Sequence, residues 1–212
     1  MSLRLLLICL FILLLPAQIL ASGGEEGRDE LYVIVVLGDS LTAGYGLPRG
    51  DAFPTRLETA LLAEGENVTV INSGVSGDTT AGGLNRIDWV LADDPDLVIV
   101  ALGANDALRG VDPETTRANL AAIIEKILVQ GCDILLAGMK APRNLGAIYY
   151  TKFDSIYPEL AAEYKIPLYP FFLDGVATDP TLNQGDGIHP NRDGVEVIVE
   201  KIVPVILVKY FE

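Results

Sequence analysis

The sequence is organised by short, unbroken apolar runs separated by longer stretches in which apolar residues return at helical spacing. The first run, Leu31-Tyr32-Val33-Ile34-Val35-Val36-Leu37, follows a polar stretch and is rich in β-branched side chains. A run without polar alternation fits a strand covered on both faces, as in a parallel sheet. Similar runs occupy residues 68–71, 97–102, 134–137 and, more weakly, 167–169. Helical spacing marks residues 52–64, 113–130, 151–164 and 192–208, with a shorter segment at 80–89. Pro204 falls inside the last helix and is expected to kink or divide it. Strands that alternate with helices imply crossover connections and a doubly wound α/β fold: a three-layer α/β/α sandwich on a five-stranded parallel sheet, flavodoxin-like in order. For the strand order 2-1-3-4-5 the switch point lies between the first and third strands, where ligands bind outside the strands' carboxyl ends. The loops after Leu37 and Leu102 should therefore carry the chemistry.

The chain's start has a different character. Arg4, the apolar residues 5–15, Pro16 and the small residues Ala21, Ser22 and Gly23 form the pattern of a secretory signal peptide, with a run too short for a comfortable membrane span. The expected organisation is a signal peptide over 1–21, a short polar segment over 22–30 and one domain over 31–212. The mature form would then be exported, periplasmic or secreted, without a stable membrane span. Cleavage would remove Cys9 and leave Cys132, at the head of the run 134–137, as a small core residue with no internal disulfide partner. With 15 basic and 29 acidic residues the net charge is −14, a sign that repels nucleic acids and anionic surfaces. One histidine and one mature cysteine cannot build a usual zinc site. Neither a metal nor an organic cofactor is expected, and the chain should be a monomer or a weak homo-oligomer.

Four segments carry candidate chemistry. The first loop reads Gly38-Asp39-Ser40-Leu41-Thr42-Ala43-Gly44-Tyr45-Gly46, which places a serine just past a strand in a glycine-rich turn. A serine there is accessible and sits in a partly positive backbone environment, although serine and glycine are also ordinary turn residues. In the second loop, Asn72-Ser73-Gly74-Val75-Ser76-Gly77-Asp78-Thr79-Thr80, Gly77 would let bare backbone aim its N–H at an oxyanion, with Asp78 or Thr79 capping a helix. The third, Gly103-Ala104-Asn105-Asp106, puts the Asn105 amide across the switch point from Ser40. In the fourth, Asp186-Gly187-Ile188-His189-Pro190, stands the single histidine, with a carboxylate three residues before it. Acyl transfer to serine needs a base near neutrality and an acid to orient that base.

Together these blocks resemble the GDSL/SGNH hydrolase family, and within it the bacterial periplasmic thioesterase I, lysophospholipase L1 and arylesterase group. The resemblance runs through nearly all of the expected mature chain, including Leu108-Arg109-Gly110, Ile156-Tyr157-Pro158 and Pro190-Asn191-Arg192-Asp193. It implies Ser40 as nucleophile, His189 as base, Asp186 as its partner, and an oxyanion hole from the Ser40 and Gly77 N–H groups and the Asn105 side chain. No Gly-x-Ser-x-Gly elbow is present, which separates the chain from ordinary α/β-hydrolases. Substrate contacts are expected from Leu108, Arg109 and Gly110, in a loop the resemblance implies to shift on binding, from Ile148 and Tyr149, and from Ile188. The implied substrate is a small acyl ester or thioester. A carbohydrate O-acetylesterase and a catalytically silent binding protein stand as alternatives.

Overall fold

The structure, a computed structural model, describes residues 30–212. The expected signal peptide and nearly all of the polar segment lie outside the described residues. Five parallel strands, β1 (Tyr32–Gly38), β2 (Val68–Gly74), β3 (Leu97–Ala101), β4 (Asp133–Ala137) and β5 (Leu168–Tyr169), form one sheet in the order β2-β1-β3-β4-β5. The centre of this sheet is the centre of the core: Ile34 to Leu37 and Leu97 to Leu102 are all fully buried. That is why these two runs lack the alternation of a half-exposed strand.

Seven α-helices lie among the described residues: α1 (Ser40–Ala43), α2 (Phe53–Ala63), α3 (Thr80–Val90), α4 (Ala104–Leu108), α5 (Pro113–Val129), α6 (Ala147–Tyr164) and α7 (Arg192–Ile206). The chain steps from β1 outward to β2, then back past β1 to β3, β4 and β5. Right-handed crossovers in opposite directions put helices on opposite faces. Accordingly α2 packs with α7, while α3 packs with α5 and α5 with α6. The helix starts follow local chemistry: Asp112 caps α5 by accepting from the Glu114 N–H at 3.0 Å ahead of Pro113, and Asn191 caps α7 by accepting from the Gly194 N–H at 3.0 Å.

Three boundaries differ most from the sequence reading. The strand expected over 68–71 continues to Gly74, because β2 is an edge strand and its carboxyl end tolerates the polar Asn72 and Ser73. Along this edge Glu58 of α2 accepts from the Val70 N–H at 2.6 Å and the Thr69 hydroxyl at 3.2 Å. The helix expected to begin at 151 begins at Ala147, since Gly146, at φ 87°, breaks the preceding chain and frees the next residues to enter the helix. The last helix continues through Pro204 to Ile206 and passes into a π-helical turn at Leu207–Phe211. Tyr210 in that turn donates to the Ile134 carbonyl at 2.7 Å and fastens the tail to β4. Cys132 is free and half-buried against the core, where burial and the nearby Asp94, Asp96 and Asp133 push its thiol up. No helix among the described residues is long and apolar enough to cross a membrane.

Candidate active site

The carboxyl ends of β1, β2 and β3 carry the first three chemical segments to one place. Helix α1 lies tightly across those ends, because a side chain at Gly38 would collide with Thr42 and one at Gly74 with the backbone of Ala43. Asp39 caps α1 with one carboxylate oxygen, accepting from the Leu41 N–H at 3.0 Å. Its other oxygen accepts from the Asn105 amide at 3.1 Å, which joins the loop after β1 to the loop after β3. Asp39 is fully buried. Burial pushes its carboxyl up to about 6, against the lowering effect of the Leu41 and Asn105 hydrogen bonds and of His189.

Ser40 opens α1, and its Oγ lies 2.9 Å from His189 Nε2. His189 Nδ1 lies 2.6 Å from Asp186 Oδ2. A proton on Nδ1 satisfies both contacts: that nitrogen donates to Asp186, and Nε2 accepts from the serine hydroxyl. The other Asp186 oxygen accepts from the Ile188 N–H at 3.0 Å and the His189 N–H at 3.1 Å. Those backbone donors, the Ile188 N–H foremost, together with the imidazole hold the Asp186 carboxyl down at about 2. The turn that makes this possible passes through Gly187 at φ 74°. Its neck is closed by an antiparallel bridge between Asn183 and Pro190 and by the Gln184 N–H donating to the His189 carbonyl at 2.7 Å.

The three donors expected for an oxyanion have bonding capacity to spare. Among the described residues the N–H groups of Ser40 and Gly77 donate to no protein acceptor, and Asn105 spends one of its two amide hydrogens on Asp39. Gly77 has φ 85°, a region costly for a side-chain-bearing residue. Arg109, expected at the substrate, braces one of these donors instead, and Arg86, which the sequence did not mark, ties the surrounding loops together. Arg109 Nη2 donates to the Gly77 carbonyl at 2.8 Å. Arg86 donates to Asp78 at 2.7 Å and to the carbonyls of Ser73 at 2.8 Å and Gly38 at 2.9 Å. The buried Asp106 accepts from the Thr80 N–H at 2.8 Å and hydroxyl at 2.5 Å, tying the start of α3 to α4. Thr79, and not Asp78, caps α3.

A cavity of about 560 Å³ opens beside Ser40, Asn105 and His189. Leu108 and Ile188 line it, as expected from the sequence. Arg109, Gly110, Ile148 and Tyr149 are not among the lining residues. Arg109 is engaged with Gly77. Because α6 starts four residues early, Ile148 points to solvent at 82% exposure and Tyr149 turns inward, donating to the Val111 carbonyl at 2.8 Å. The wall is instead completed by Met139, Ala141 and Pro142 after β4 and by Phe171, Leu173 and Ala177 after β5. Thr178, also in the wall, is held at φ 70°, a strained conformation of the kind that collects at functional sites.

Residues 36–197 match the model of the GDSL-like lipase/acylhydrolase family. The chain belongs to this family. It is similar to an arylesterase of Vibrio mimicus, at 41% identity over 180 residues covering 84% of this chain and 88% of that one. It is also similar to the thioesterase 1/protease 1/lysophospholipase L1 of Escherichia coli K12, at 39% identity over 79% of each chain. Among solved structures, the SGNH-hydrolase family esterase AlinE4 superposes with a TM-score of 0.72 at 49% identity, covering 85% of this chain and 97% of that one. The family resemblance read from four short sequence blocks thus extends over the fold, and the GDSL segment is the loop that carries Ser40 here.

Proposed function

We propose that the protein hydrolyses carboxylic esters and thioesters through an acyl-enzyme on Ser40. The observation that carries this reading is the hydrogen-bonded series Ser40, His189, Asp186 at the mouth of an apolar cavity. Ser40 Oγ attacks the acyl carbonyl carbon while His189 Nε2 takes its proton. The carbonyl oxygen becomes an oxyanion, which the Ser40 and Gly77 N–H groups and the Asn105 amide stabilise. His189 returns the proton to the leaving oxygen or sulfur, and the alcohol or thiol departs. Water then attacks the acyl-enzyme, gives its proton to His189, and the acid leaves with Ser40 restored. Asp186, held near 2, stays ionised throughout and faces the imidazolium. The names of the arylesterase and thioesterase relatives support the same substrate class.

The cavity is within the range of small-molecule sites, about 300–1,000 Å³, and its surface is largely apolar, with Lys140 and Arg143 also in the wall. Each methylene it buries should contribute up to about 0.8 kcal/mol, so kcat/KM should rise about two- to fourfold per carbon over short p-nitrophenyl esters and then level off. Leu108→Ala should flatten the rise, and Ile148→Ala should leave it unchanged. A fall directly after acetyl would favour the carbohydrate O-acetylesterase, and a flat profile would remove the acyl groove.

We further propose that residues 1–21 direct export and are removed, so that the hydrolase domain over 31–212 acts outside the cytoplasm with a short polar leader. The pattern of Arg4, the apolar residues 5–15 and Ala21 supports this. N-terminal sequencing of the exported protein should begin close to Ser22. An intact Met1 on a membrane-bound product would show a retained anchor instead.

A further inference from the structure

The His189 imidazole is fixed at two edges by Ser40 and Asp186, and one of its faces is also occupied. The ring of Tyr45 lies against it, with centroids 4.6 Å apart and planes inclined by 36°. Tyr45 is about half exposed, at 53%, so packing into the core does not account for its placement. The backbone around it is shaped to present the ring. Gly44 and Gly46 on either side stand at φ 81° and 73°, the Tyr45 N–H donates to the Ser40 carbonyl at 3.2 Å, and the Leu47 N–H closes the turn onto the Gly44 carbonyl at 3.0 Å.

A single side chain ties this turn to the histidine loop. Gln184 Nε2 donates to the Tyr45 carbonyl at 2.7 Å and to the Pro190 carbonyl at 3.0 Å, while the Gln184 backbone N–H donates to the His189 carbonyl. A side chain at position 46 would collide with the Gln184 amide, so the glycine there is what admits the clip. The loop that bears the serine and the loop that bears the histidine are thus fastened together 139 residues apart in sequence.

We propose that Tyr45 is a positioning residue for His189, acting through its ring face. The proposal rests on His189 being the base. The face of an aromatic ring carries negative electrostatic potential and attracts a cation laid over it. The imidazole is neutral before attack and cationic once Ser40 has given up its proton, so the Tyr45 ring stabilises the charged partner more than the neutral one. It also blocks rotation of the imidazole out of the line between Ser40 and Asp186. The phenolic oxygen has no part in either effect. The charged groups that face the imidazole are Asp186 on its own loop and the buried Asp39 on the serine loop, and neither is altered by a change at Tyr45.

The test compares Tyr45→Phe with Tyr45→Leu in the untagged protein lacking residues 1–21. Two readouts are followed: kcat on a neutral p-nitrophenyl ester, and the proton NMR titration of the imidazole C–H signals. The latter are unambiguous because the chain has one histidine. Tyr45→Phe should match the parent in both. Tyr45→Leu should lose about five- to tenfold in kcat with KM little changed, and its histidine should titrate at lower pH than the parent's. A Leu variant with parental kcat overturns the proposal. So does a histidine titration that is unmoved or displaced to higher pH, which would assign Tyr45 to packing or solvent exclusion. Loss of activity in Tyr45→Phe would assign the effect to the hydroxyl and overturn it as well. Failure of the base assignment itself would show separately, as an active His189→Ala protein.

Discussion

His189→Ala is expected to lower kcat by at least about a thousandfold on any ester the protein hydrolyses, with the fold retained. The magnitude follows from the arrangement. Without an imidazole at 2.9 Å the Ser40 hydroxyl keeps its proton at neutral pH, and no other histidine exists to replace it. The fold should survive because His189 sits at the cavity mouth and its backbone bonds to Gln184 and Asp186 do not involve the side chain. Ser40→Ala should cost a similar factor, and the double variant little more than either, since the residues act as one unit. Steady-state rates on p-nitrophenyl acetate and butyrate, with a thermal melt of each variant, check this. Activity near the parental level in a folded His189→Ala protein would abolish the triad.

Asn105→Ala should lower kcat by about a hundredfold while changing KM much less, because in the proposed mechanism its free amide hydrogen serves an oxyanion that is absent from the bound ester and develops only on the way through the transition state. The geometry adds a second expectation. Asn105 is oriented by donating to Asp39, whose oxygens only accept while it is ionised. Asp39→Asn introduces a donor at the same place, so the Asn105 amide must turn its oxygen toward position 39 and its N–H₂ away. That variant should lose about tenfold in kcat, and adding it to Asn105→Ala should cost almost nothing further, as expected for groups in direct contact. A kinetic double-mutant cycle measures this coupling. Independent, multiplying losses would separate Asp39 from the oxyanion site, and normal turnover in Asn105→Ala would leave Asn105 a turn residue only.

The sheet and its order were legible because fully buried strands leave unbroken apolar runs and right-handed crossovers restrict how such runs can be joined. The four chemical segments were legible only together: Gly38 with Ser40, or Gly187 with His189, is by itself an ordinary turn, and it was the order of the four blocks along the chain that resembled the family. Less could be read of what holds them together. The Asp39 to Asn105 hydrogen bond spans 66 residues, and the contacts of Arg86 and Gln184 depend on which loops the sheet brings side by side. The cavity wall was legible only at Leu108 and Ile188. Apolar residues such as Met139 or Phe171 look the same in sequence whether they fill a core or line a groove. Ile148 and Tyr149 read as groove residues because helical spacing in the sequence marks a helix only from residue 151. A helix that starts at Ala147 turns one of them outward and the other under the chain.

The Glu58 carboxylate on the outer edge of β2 bears on how the protein behaves in company. An uncovered strand edge offers a ladder of donors and acceptors to any passing chain. Here the acceptor that a visiting strand would supply to the Val70 N–H is already in place, and the opposite edge, β5, is only two residues long. Both edges therefore offer a visiting strand less than a full ladder. A net charge of −14 adds a long-range repulsion between like molecules to that local obstacle.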